Sequence, residues 1–165
     1  MATQTGEQLA EGIRQTVEDL AKACAGLGED AATRAPEGRW TPKEILSHVM
    51  GPVPGGYVKM LRRFLDEEVP LVDIVPEVTH FTPERAAKSA GQLMEDVRAE
   101  LGQVADFAAG LTPEQLDRKG RVPFLKDTPL TQYPTLETML FGLGQFHVRF
   151  HIDHMHEVLQ SHPDS

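Results

Sequence analysis

The sequence predicts an all-α fold, a four-helix bundle forming one domain over residues 1–165. Apolar residues recur at steps of three and four along four long stretches, capping residues with Pro and Gly punctuate those stretches, and no segment reads convincingly as a strand. The first helix covers about residues 5–27, with Leu9, Ile13, Val17, Leu20, Cys24 and Leu27 on one face. The second opens at Thr41, a natural N-cap, with Pro42 at the first helical position and Glu44 completing a capping box. "GPVPGG" (51–56) then predicts a kink or break, because Pro54 lacks a donor and the glycines loosen the chain. The helix resumes through Tyr57, Met60, Leu61 and Phe64 to about Glu68. Residues 69–81 read as a linker whose apolar side chains pack on the domain. The third helix opens at Thr82 and Pro83 and carries Ala90, Leu93, Val97, Leu101, Val104, Ala108 and Leu111 on one face. A short extra helix follows, with Thr112 and Gln115 as a capping box, and then a loop over 119–134. The fourth runs from about Thr135 to Gln160, its inner stripe Leu136, Leu140, Leu143, His147, His151, His154 and Val158. The connections from the second helix to the third and from the third to the fourth exceed tight turns, which leaves room for one to cross an end of the bundle.

At 165 residues, 40% hydrophobic and 25% charged, the chain can bury a sizeable core. A net charge of −9 and the lack of a basic stripe argue against nucleic-acid binding. There is no membrane span and no secretory pattern, so the expected location is the cytoplasm. One cysteine, Cys24, excludes an intrachain disulfide framework and reads as a small buried hydrophobe.

Chemistry concentrates in "FHVRFHIDHMHEVL" (146–159), which holds four of the seven histidines. At about 100° per residue, His151 lies about 40° from His147 and His154 about 20° on the other side, whereas His156 faces about 180° away and reads as solvated. Three imidazoles on an apolar face are costly unless paired or ligating, which points to a metal. Residues four apart can share one ion, but His147 and His154 stand about 10.5 Å apart along the axis. Geometry therefore leaves two pairs, His147 with His151 or His151 with His154. A third imidazole is best supplied by His48, on the inner face of the second helix; His80 in the linker and His162 in the tail rank below it. Three histidines with one open position suit Zn²⁺, and imidazole also suits Ni²⁺ or Fe²⁺. Glu44, one turn before His48, is a candidate to orient that ring, beside its capping role.

"GRWTPKEILSHVMG" (38–51) and "HVRFHIDHMHEVL" (147–159) resemble the opening and closing signatures of the DinB-like, damage-inducible superfamily, and the likeness runs from about Pro36 to Gln160. The resemblance implies a four-helix bundle, a divalent ion on His48, His147 and His151, and a homodimer. Met60, Phe64, Phe141 and Phe146 are candidates for the dimer face where exposed. The sequence departs from the family pattern at His154, where relatives carry Gln, and at "GPVPGG", where they continue the helix. His154 is thereby a second group at the ion or an alternative ligand. The resemblance further implies an enzyme using a low-molecular-weight thiol such as bacillithiol or mycothiol, which attacks an electrophilic small molecule in detoxification or stress. The competing expectations are a metal-dependent hydrolase on the same residues and a non-enzymatic metal-binding stress protein.

Overall fold

Side-chain caps at Thr5, Thr41, Thr82, Ser89, Thr112 and Thr135 start helices, and Gly51 and Gly110 close two of them. The computed structural model describes residues 1–161. Helix α1 spans Gly6–Ala23, capped by Thr5 with Gln8. A single turn, α2 (Glu29–Ala32), precedes α3 (Pro42–Met50). In α3 the predicted box forms, with the Thr41 hydroxyl accepting from the Glu44 amide and the Glu44 carboxylate accepting from the Thr41 amide. The predicted break follows, and the second rod resumes as α4 (Gly56–Asp66). One turn, α5 (Pro83–Ala86), then leads into α6 (Ala90–Ala109). Next come α7 (Pro113–Leu116), a 3₁₀ turn at Pro123–Leu125, and α8 (Leu136–Phe141), which passes through a π turn (Gly142–Phe146) into α9 (His147–Gln160).

The third rod is shorter than its apolar periodicity predicts. Ser89 takes an extended conformation and forms its own capping box with Gln92, so α5 and α6 are separate helices. Leu111 lies beyond the end of α6. The first rod likewise stops at Ala23 rather than near residue 27, with Gly26 at φ 73°.

The packed pairs are α1 with α6, α6 with α3, α3 with α9, and α9 with α1. The rods thus close a ring in which the first and second are diagonal, as are the third and fourth. Crossing falls to the connection into α3, which the sequence reading did not single out, and to the one into α8. The connection from α4 to α6 joins neighbours. Leu9, Ile13, Leu20, Ile45, Leu93, Leu101, Leu136 and Leu140 are fully buried inside the ring, and each such side chain contributes about 1.5–3 kcal/mol. The linker packs on the domain only in part: Val72 is buried, its amide donates to Arg121 O at 2.8 Å, and the Arg121 amide donates to Pro70 O at 2.8 Å, whereas Val69, Leu71 and Val75 are exposed. Among the described residues, β structure is limited to isolated bridges. No helix there is long and apolar enough to cross a membrane.

Of the four candidates for a dimer face, Phe64 is fully buried and drops out, its ring filling the space beside Gly120. Met60 is half-buried, and Phe141 and Phe146 are exposed together with Phe150.

The break between α3 and α4 is held by a carboxylate from the neighbouring rod. Glu100 of α6, 3% exposed, accepts from the amides of Gly55 at 2.7 Å and Tyr57 at 3.3 Å. It thereby satisfies donors that the start of α4 would otherwise leave unmet. Gly51 closes α3 at φ 85°, and the Tyr57 ring occupies the space its Cβ would need. Replacing Glu100 by Ala is expected to lower stability by about 1–3 kcal/mol, with a smaller loss for Glu100→Gln. Urea unfolding at constant slope measures both.

Candidate metal centre

His48 sits in the last turn of α3, and the capped start and glycine stop of that helix fix its phase. His147 opens α9, and His151 lies one turn on. The π turn immediately before His147 sets their direction. The His147 amide donates back to Gly142 O, five residues earlier, so one extra residue is taken up in that turn. The buried stripe after it reads Gly144, Val148, His151, Met155 and Val158. A uniform 100° step predicts Leu143, His147 and His154 there, each one residue off. The π turn fits because Gly144 has no Cβ, which lets Ile13 of α1 close onto it. His151 is consequently buried, while His147 and His154 flank the stripe half-buried.

The structure brings His48, His147 and His151 together, with one ring nitrogen of each within 4.8 Å of the others. The Nε2 atoms of His48 and His147 are 2.9 Å apart. The His151 ring centroid lies 4.6 Å from those of both His48 and His147. Interplanar angles of 62°, 62° and 80° show the rings set edge to face around a shared point rather than stacked.

Backbone and neighbouring side chains fix which nitrogens face inward. His48 Nδ1 donates to the carbonyl of Val78 at 2.7 Å. In the neutral ring that bond places the proton on Nδ1 and leaves Nε2 as the lone pair. Val78, not Glu44, therefore meets this ring; the Glu44 carboxylate closes the capping box. His151 Nδ1 lies 3.3 Å from His154 Nδ1, which leaves His151 Nε2 as its free nitrogen. His154 thus stands against the outer nitrogen of His151, outside the triad. His156 is exposed, and His162 lies outside the described residues.

Burial, reinforced by the charge of His48, lowers the His147 pKa to about 4. Burial, then the charges of His147, His48 and His154, lowers that of His151 to about 3. Both imidazoles are accordingly neutral at pH 7, with lone pairs available. The Nε2 atoms of His48 and His147 meet at 2.9 Å, and His147 Nδ1 is buried without a protein partner. Two nitrogens bound to one ion at about 2.0–2.1 Å stand about 2.9–3.3 Å apart. The triad therefore fits a divalent cation in spacing and donor type.

Trp40, within the opening signature, and His80, the lower-ranked ligand candidate of the linker, border the triad without joining it. Trp40 lies against three imidazoles, 4.9 Å from His48, 6.1 Å from His151 in a near-parallel stack at 10°, and 5.7 Å from His154. It shields one side of the site from water. His80 lies parallel to His48 at 6.5 Å but outside the triad, its pKa lowered by burial and by the charges of His48 and Arg85.

Two solved structures share the fold. YfiT from Bacillus subtilis, described as a probable metal-dependent hydrolase with an unusual four-helix bundle topology, superposes with a TM-score of 0.71 at 20% identity, covering 95% of this chain and 87% of that one. An uncharacterized protein from Clostridium difficile 630 superposes with a TM-score of 0.63 at 15% identity, covering 95% of this chain and 96% of that one. No protein of curated function matches the chain. The DinB superfamily pattern matches residues 13–158. Because that match runs from the first helix into the last and takes in His48, His147 and His151, the chain belongs to the DinB superfamily.

Proposed function

We propose that His48, His147 and His151 hold a divalent cation, Zn²⁺ or Ni²⁺ before Fe²⁺, and that the centre serves thiol transfer to an electrophilic small molecule. The observation that carries the reading is the convergence of three imidazoles with ligand atoms within 4.8 Å of one another. When bound, such an ion lowers the pKa of a thiol or water beside it, giving a nucleophile at neutral pH. Imidazoles bring no charge of their own, so they leave the ion's full positive charge to act on that group. Trp40 keeps one side dry. His154 and Val78 hold the rings of His151 and His48 by their outer nitrogens.

Thiol transfer is put before hydrolysis by the sequence's resemblance to thiol-using members of the superfamily, and a thiol, more acidic than water, reaches its anionic form beside an ion more readily. Hydrolysis on the same residues is the second reading, favoured by the likeness to YfiT. The two differ in whether turnover needs an added thiol.

Protein prepared without an affinity tag is expected to carry about one metal ion per chain by elemental analysis, and His151→Ala to carry almost none. His154→Gln is expected to keep the metal, because the amide oxygen can accept from His151 Nδ1, whereas His154→Leu weakens binding by about tenfold. A metal content near zero in the parent protein would defeat the reading.

With metal and a bacillithiol- or mycothiol-type thiol, the protein is expected to accelerate conjugation of a model electrophile, and His151→Ala to lose more than about 100-fold of that rate. Thiol-independent cleavage of model esters or amides would favour hydrolysis instead. Equal conjugation rates with and without the protein contradict thiol transfer.

A further inference from the structure

The segment that supplies Val78 is held in an unusual conformation. Glu77 and His80 both have positive φ, 59° and 55°, and neither is glycine. Side chains rarely adopt that region unless neighbouring contacts impose it. Besides His48, a guanidinium reaches this segment from outside. Arg85 of α5 is 9% exposed, and one of its terminal nitrogens donates to His80 O at 3.2 Å, to Ser47 O at 3.2 Å and to Ser47 Oγ at 2.9 Å.

Those acceptors lie on two separate stretches of chain. Ser47 immediately precedes His48 in α3, and its carbonyl is among the last four of that helix, where a cation is favoured. His80 lies two residues after Val78, whose carbonyl receives the His48 Nδ1 proton at 2.7 Å. One buried group therefore ties the residue before His48 to the segment that binds His48. The parallel packing of the His80 and His48 rings at 6.5 Å closes the same junction.

We infer that Arg85 is a positioning residue for the metal centre. By joining His80 to Ser47 it keeps the Val78 carbonyl against His48, and so holds that ring as the Nδ1–H tautomer with Nε2 directed at His147 and His151. The inference rests on the triad being a metal site.

The test compares the parent protein with Arg85→Met, Arg85→Lys and, as a control, Glu100→Ala, which loosens the α3–α4 break away from the triad. Long-range ¹H–¹⁵N spectra of the metal-free proteins report the His48 tautomer. Competition with a chromophoric chelator reports Zn²⁺ affinity. Arg85→Met is expected to convert His48 from one tautomer to a mixture and to weaken Zn²⁺ binding by about 10–100-fold. Arg85→Lys is expected to give intermediate values for both. Glu100→Ala is expected to lower stability while leaving both readouts at the parent values.

Unchanged tautomer and affinity in Arg85→Met would overturn the inference. So would an equal loss of affinity in Glu100→Ala. Should Arg85→Met fail to fold, parent-like values in Arg85→Lys overturn it instead. A parent protein that binds no Zn²⁺, but whose His48 tautomer still changes in the Arg85 variants, would defeat the metal reading while upholding the control of His48 by Arg85.

Discussion

Everything near the functional end of this bundle answers to one constraint: three imidazole rings must turn one nitrogen each toward a common point. Neutral imidazoles buried beside one another are tolerable only if their nitrogens are used. Burial lowers the pKa values of His147 and His151 to about 4 and about 3, so neither ring can escape the problem by taking a second proton at neutral pH. His48 and His147 approach to 2.9 Å through their Nε2 atoms, and His147 Nδ1 has no protein partner. The divalent cation proposed here would take up the inner nitrogens, which the outer contacts of His48 with Val78 and of His151 with His154 keep aimed.

The bundle meets the constraint by interrupting its helices rather than extending them. Gly51 stops α3 just after His48, and Glu100 restarts the rod as α4. A π turn rotates the start of α9, so that His151 lies in the buried stripe and His147 at its edge. The diagonal arrangement of rods places α3 directly against α9, although about a hundred residues separate them in sequence. Adjacent packing in simple chain order would also have joined the second rod to the first, which here lies across the core from it.

Much of this was legible in the chain. Four apolar stripes gave the rods, and the boxes at Thr41 and Thr112 formed as read. The break at "GPVPGG" occurred where Pro and Gly placed it, and the three histidines named from phase and resemblance converge. What escaped was local backbone accounting. The Ser89–Gln92 box splits the third rod, and "SAGQ" carried that signal; the longer apolar period masked it. The π turn escaped because periodicity assumes a uniform step, and only Gly142 and Gly144 hint at it. Val78 and Arg85 were unreadable for a different reason. Their roles arise from a carbonyl and a guanidinium brought to α3 by a folded linker, and no spacing encodes that approach.

The account stands or falls on the coordination of the ion. X-ray absorption at the edge of the metal bound to the purified protein counts imidazole ligands directly. Three imidazole nitrogens at about 2.0–2.1 Å with a further light atom or sulfur are expected, falling to two imidazoles in any fraction of His151→Ala that retains metal. A spectrum with fewer than three imidazoles, or one unchanged by His151→Ala, would contradict it.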